Sequence, residues 1–268
     1  MKTSRALLAV ALVASVASGA SARDRGADGR FDTRTSSHFV LHQDVDIDES
    51  GGFYGSRRFE QQLLDTLEKA FESLDRLLGL RPDRKLDVVV YDPGLFDQQF
   101  ARLFRFQAAG FYHGVIRVRG ATQLSVPLQR VLHHELVHAA LDAAAPSMVF
   151  PAWINEGGAE WFEARALGKR GLSSREWAVL RQLAAGGELR SLAQLSTPSF
   201  AHLDPRGAAV AYLESYAVLD HLARHYGERA LPRFYAELIR SRNLERALSR
   251  TYRLDLARLE KGFFEELR

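Results

Sequence analysis

The sequence predicts an α+β protein, with a small β-sheet and its helices first and an almost wholly helical C-terminal half after it. Three observations carry this prediction. The β-branched or alternating runs all fall before residue 122, at His38–Gln43, Leu86–Tyr91 and Gly110–Arg119. Beyond that point apolar residues recur at three- and four-residue spacing, the period of a helix with a buried face. The chain has 268 residues, 46% of them hydrophobic, which is enough for one sizeable core shared by two lobes.

In chain order, Lys2 and Arg5 precede the apolar run Ala6–Ala17, and Ala20-Ser21-Ala22 gives a small-x-small cleavage site. This is the pattern of a secretory signal peptide over residues 1–22, with an apolar run too short for an ordinary transmembrane helix. The alternative is an uncleaved amphipathic anchor. A periplasmic or extracellular location is expected. Residues 23–35 are polar with Gly and Asp and are expected as a short flexible leader. The domain proper then covers 36–268, with a β-rich lobe to about 122 and a helical lobe from about 123.

His38–Gln43 reads as a strand. Arg57–Leu80 reads as a helix, because Leu63, Leu67, Phe71, Leu74 and Leu78 share one face, and Gly79 and Pro82 mark its end. Leu86–Tyr91 is a buried strand, Leu95–Phe106 a helix, and Gly110–Arg119 a strand bounded by glycines. Helices follow at Pro127–Ala144, Pro151–Trp161, Ser173–Ala185, Gly207–Tyr226, Glu228–Arg240 and Asp255–Leu267. Gly186, Gly187 and Gly227 are breaks, and Ser191–Phe200 is a loop anchored by Leu192 and Leu195. Nothing after the N-terminal run has the length of uninterrupted apolar sequence, about 18 residues, that a membrane span needs.

The chemistry lies at His134-Glu135-Leu136-Val137-His138, an H-E-x-x-H inside an apolar helix. Residues four apart share a helix face, so both imidazoles reach one tetrahedral Zn²⁺, and Glu135 stands beside them to take a proton from a metal-bound water. A charged helix with two surface histidines is the alternative. The apolar neighbours Val131, Leu132, Leu136, Val137 and Leu141 argue against it, because a helix apolar over much of its circumference is buried. A catalytic zinc usually has three protein ligands. Glu156, in the next helix, is the candidate for the third, and Glu160, one turn on, is placed to accept the Nδ1–H of a ligand histidine. Gly157 and Gly158 are poor helix formers whose expected use is close packing of this helix on the first.

H-E-L-V-H followed by W-I-N-E-G-G-A-E resembles the gluzincin metallopeptidases, and in its N-E pair the thermolysin-like and aminopeptidase-N-like enzymes. The likeness is greatest to the small, secreted bacterial peptidase MA-like domains and extends over roughly residues 36–268. It implies a zincin-like fold with a small mixed sheet, His134, His138 and Glu156 as zinc ligands, Glu135 as general base and Glu160 as their outer support. The segment Ala211–Leu219 is similar to the one that carries the oxyanion tyrosine in aminopeptidase-N-like enzymes. Tyr212, with the small Ser215 three residues on, fits that pattern, and Tyr216 is the competitor. In the gluzincin architecture the strand before the zinc helix pairs with an extended substrate, the place taken here by Gly110–Arg119. No G-A-M-E-N-like segment precedes the zinc helix, so exopeptidase activity is not implied.

The other polar residues have plainer readings. His113 is expected at the surface or cleft, His133 as a packing or supporting residue, and Asp142 at the surface. His221 and His225 are four apart, but with no third ligand in view they read as partly exposed histidines, and His202 lies in a loop. The formal charge is +3 with basic and acidic residues interspersed, which gives no sign of a nucleic-acid partner. There are no cysteines, so disulfides, thiolate metal sites and a cysteine nucleophile are excluded. The expected function is a secreted zinc metallopeptidase holding one Zn²⁺ and acting on a peptide or protein substrate. The alternatives are a zinc-bearing binding or assembly protein of the cell envelope, and an amidase-type hydrolase of peptidoglycan peptides.

Overall fold

The structure is a computed structural model that describes residues 31–45, 55–100, 103 and 108–268. The expected signal peptide and most of the expected leader lie outside the described residues. The end of that leader is a correction: Asp32–Thr35 forms a strand, β1, paired antiparallel with β2 (Phe39–Asp44). Pairing supplies the backbone partners that a polar segment lacks by itself.

Five strands form one mixed sheet in the order β1-β2-β3-β5-β4. β2, β3 (Leu86–Tyr91) and β5 (Ile116–Arg119) run parallel, and β1 and β4 (Gly110–Tyr112) close the two edges antiparallel. The single strand expected over Gly110–Arg119 is therefore a hairpin. Its turn falls at Gly114, whose φ of 69° is a left-handed conformation that glycine adopts without strain. Alternation sorts the sheet's side chains to two faces. Phe39, Leu41, Val88, Val90, Ile116 and Val118 enter the main core, under α1 (Gly55–Leu78) and α3 (Val126–Ala144). Tyr91 and Phe111 face the other way and meet Phe96 and Phe100 of α2 (Pro93–Phe100) in a small aromatic cluster. Phe100 lies 5.0 Å from Phe111 and 5.2 Å from Tyr91, in edge-on contacts that seat the edge strand. The helix expected over Leu95–Phe106 thus begins earlier, where the Asp92 carboxylate accepts the Gly94 N–H at 2.8 Å.

The helical part is α4 (Ala152–Ala166), α5 (Ser174–Ala185), α6 (Leu192–Leu195), α7 (Pro205–Tyr226), α8 (Ala230–Ser241), α9 (Leu244–Tyr252) and α10 (Leu256–Glu266). Two of these depart from expectation. α6 is a single turn inside the expected loop, with Leu192 and Leu195 buried as anchors. α9 went unforeseen; Asn243 caps it by accepting the Arg246 N–H at 2.8 Å, and Ala247, Leu248 and Tyr252 form its buried stripe. One continuous core runs from the sheet through these helices, so the two lobes share a single interior. No helix among the described residues is long and apolar enough to cross a membrane.

Candidate metal centre

α3 carries the first part of the site. Ser125 caps it by accepting the Leu128 N–H, Pro127 occupies its first turn, and buried residues surround it from Leu128 to Leu141. His134 and His138 therefore point into the molecule rather than into water, at 0% and 3% exposure. α4 lies across α3 and brings Glu156, 1% exposed, between them. The start of α4 is tied down by the α6 turn: Ala152 N–H donates to the Thr197 carbonyl at 2.8 Å, and Trp153 Nε1–H to Ser196 Oγ at 3.2 Å.

Glu156 Oε2 stands 3.4 Å from His134 Nε2 and 3.5 Å from His138 Nε2. Ligand atoms arranged tetrahedrally at metal bonds of about 2.0–2.1 Å are themselves about 3.3–3.4 Å apart. Glu156 Oε2 is thus spaced from each imidazole as two ligands of one small cation would be, all three ligand atoms lie within 4.8 Å of one another, and these residues could hold a metal ion. The donor set of two imidazoles and one carboxylate suits zinc. His138 Nε2 and both oxygens of Glu135 are buried with no hydrogen-bond partner, which is costly in a closed interior and fits a site that receives a further polar group.

Of the far nitrogens, that of His138 is hydrogen-bonded and that of His134 is buried without a hydrogen bond. His138 Nδ1–H donates to Asn155 Oδ1 at 2.9 Å, so Nε2 is the nitrogen that faces Glu156. His134 Nδ1 stands between two carboxylates, 3.7 Å from Glu160 Oε1 and 3.8 Å from Glu163 Oε2. Glu163 is in turn paired with Arg130 of α3. Glu160, expected to accept from a ligand histidine, stands near His134 Nδ1 but beyond hydrogen-bond distance, and Asn155, Glu163 and Arg130 were not foreseen. Asn155 adjoins Glu156 and Glu163 lies one turn from Glu160, but their partners are visible only when α3 and α4 are packed.

Burial disfavours a charged His134, but the carboxylates of Glu156, Glu163 and Glu160 outweigh it and hold its pKa well up. Burial likewise works against ionised Glu156, and the His138 and His134 charges overcome it, holding the carboxyl at about 2. The centre thus favours positive charge at its middle. Glu135 is governed by burial, which pushes its carboxyl up to about 7, into the range where a general base works near neutrality. The Tyr112 backbone amide on β4 faces this carboxylate without closing a hydrogen bond.

Of the two candidate phenols, the structure brings Tyr212 to the centre. Its ring lies 6.5 Å from the His134 ring, and its hydroxyl meets the Glu156 carboxylate. Burial, then the charges of Glu156, Glu160 and Glu135, push the phenol well up, so it stays a hydrogen-bond donor. Tyr216 turns elsewhere: Lys169 Nζ sits over its ring at 4.7 Å.

The glycines of α4 are a second correction, because their close partners are α7 and α8 rather than α3. A Cβ on Gly157 would come within 2.5 Å of the Ser215 carbonyl oxygen, and one on Gly158 would strike the Tyr235 hydroxyl, which donates to the Ile154 carbonyl at 3.0 Å. This approach of α4 to α7 is what carries Tyr212 to Glu156. Among the remaining polar residues, His133 packs near Phe162 with Nδ1–H donating to the Gln129 carbonyl at 2.7 Å. Asp142 accepts from Tyr112 Oη–H at 2.6 Å rather than supporting His138. His113 and His202 are exposed, His113 in the β4–β5 turn.

No family model matches the chain, and comparison with curated proteins finds no match.

Proposed function

We propose that this chain is a zinc metallopeptidase that cleaves peptide bonds, with His134, His138 and Glu156 holding one Zn²⁺. The observation that carries the reading is the convergence of two Nε2 atoms and one carboxylate oxygen at 3.4–3.5 Å in a closed interior, beside a second carboxylate, Glu135, whose oxygens are unpaired. Zinc supplies a Lewis acid that makes water acidic and polarises a carbonyl. Glu135 accepts the proton of the attacking water and returns it to the leaving amine, a role that suits a carboxyl pushed up to about 7. Tyr212 donates a hydrogen bond to the carbonyl oxygen as negative charge builds on it, and burial keeps that phenol protonated. Asn155 holds the His138 imidazole in the required tautomer, and the Glu160 and Glu163 carboxylates stand 3.7 and 3.8 Å from His134 Nδ1, where they favour positive charge on that ring.

β4 is an edge strand beside the centre, so an extended peptide can add to it through main-chain hydrogen bonds. That favours a peptide or protein substrate over a small molecule. A binding or assembly protein without turnover would have no use for a desolvated carboxylate next to the metal ligands, and Glu135 weighs against that reading. Export is proposed on the N-terminal pattern of residues 1–22.

The test is zinc content and hydrolysis of a mixed peptide library by the chain from Arg23 onward, beside its Glu135→Gln variant. Near-stoichiometric zinc in both proteins and cleavage only by the parent is the expected result. Equal cleavage by the two would remove Glu135 from the mechanism, and zinc in neither would remove the centre itself.

A further inference from the structure

A second group of ligating side chains lies at the other end of α7. His221 and His225 are one turn apart on that helix, and α10 brings Glu266 to both. Their ligand atoms all lie within 4.8 Å of one another. Glu266 Oε2 is 2.7 Å from His221 Nδ1 and 3.5 Å from His225 Nε2, and the two imidazole rings stand 4.3 Å apart. His221 lies nine positions along the helix from Tyr212, about 14 Å along the axis, so this group is distinct from the centre on α3 and α4.

We propose that His221, His225 and Glu266 form a second site for a divalent transition metal. Two imidazoles four residues apart with one carboxylate is a borderline donor set that takes Zn²⁺, Co²⁺, Ni²⁺ or Cu²⁺ in preference to Ca²⁺ or Mg²⁺. The surroundings orient the carboxylate: Arg224 Nη1 donates to Glu266 Oε1, leaving Oε2 toward the histidines. Arg224 does not repel a cation unopposed, because Asp220, 1% exposed, accepts from its Nε at 2.8 Å. With both imidazoles neutral, the Asp220–Arg224–Glu266 set keeps one net negative charge. The 2.7 Å contact is too short for two ligands of one ion, and Glu266, in the last turn of α10 with its side chain 24% exposed, can swing to open it. His225 is half exposed and leaves the remaining coordination position to water. The bound ion joins α10 to α7, so the site is structural and open to exchange with the surroundings.

The experiment is equilibrium dialysis of the full chain against buffered Zn²⁺, with metal per chain read by mass spectrometry. It compares the parent, His225→Ala, His138→Ala and the double variant, and circular dichroism checks each fold. Two ions in the parent, one in each single variant and none in the double variant is the expected pattern. His225 is half exposed, so its loss leaves the core intact; Glu266→Gln is the second probe and is expected to weaken this binding about 100-fold or more. Zn²⁺ is also expected to raise the Tm of His138→Ala and to leave that of the double variant unchanged. Equal metal content in the parent and His225→Ala overturns the second site, whatever His138→Ala does. Loss with His225→Ala but not with His138→Ala upholds it and instead removes the first centre.

Discussion

Asn155 and Tyr212 show how single side chains complete the α3–α4 centre. Asn155 accepts from His138 Nδ1–H at 2.9 Å and so fixes which nitrogen faces Glu156. Asn155→Ala is expected to lower zinc affinity about 10–100-fold, as loss of an outer hydrogen bond to a ligand histidine does, with the fold retained; competition with a chromophoric chelator measures it. Tyr212 meets Glu156 while Tyr216 lies under Lys169. Tyr212→Phe is expected to lower kcat by about 100-fold with zinc content unchanged, the cost of removing one oxyanion donor. Tyr216→Phe is expected to turn over like the parent, and the reverse ranking would exchange their roles. The sequence pattern favours Tyr212 over Tyr216, and the packing of the helix places only Tyr212 beside Glu156.

At the scale of elements, the site depends on how closely α4 lies on α7. Gly157 meets the backbone of Ser215, where a methyl group would sit 2.5 Å from the carbonyl oxygen, and neither helix backbone can give way cheaply. Gly157→Ala is expected to destabilise the protein by about 1–3 kcal/mol through overpacking, against the gain that Ala gives an ordinary helix, and urea unfolding reads the difference. It is also expected to lower kcat, because α7 carries Tyr212. The sheet contributes its edge in the same way: the β4–β5 hairpin turns at Gly114, and the Phe96–Phe100–Phe111 cluster fixes β4 from behind. Helix starts were legible where a cap and an apolar stripe coincide, as at Ser173 with Glu176. α9 has the same signals at Asn243 but is short, and it leans on α8 for its burial.

Across the whole molecule, the continuous core encloses a carboxyl outside the candidate centre, that of Glu214, which makes stability depend on pH. Glu214 of α7 is fully buried, accepts the Arg190 N–H at 3.1 Å, and has its other oxygen unpaired. Burial pushes its carboxyl up to about 8. The folded state then holds a proton that the unfolded chain releases near 4.5, so stability from this group is full below pH 4.5 and is lost as pH rises through about 8. Glu214→Gln keeps the shape and the acceptor without the charge. Its Tm is expected to match the parent at pH 5 and to exceed it by several degrees at pH 8; an equal Tm at both values would mean that Glu214 is solvated in the folded protein.

The sequence alone determined the class of the fold, the strands at Leu86–Tyr91 and around Phe39, most helices, and four residues of the candidate centre: His134, Glu135, His138 and Glu156. These are legible because periodicity and the four-residue helical repeat are local, and H-E-x-x-H places both imidazoles on one face before any packing occurs. Tertiary structure decided what depends on contacts between distant segments. It set Glu163 with Arg130 behind His134, Asn155 behind His138, Tyr212 rather than Tyr216 beside Glu156, and α7 rather than α3 against Gly157. It also brought to His221 and His225 a third ligating group, the Glu266 carboxylate, from a helix that begins thirty residues after α7 ends. Which helices touch is a property of the shared core, and a one-dimensional spacing carries no record of it.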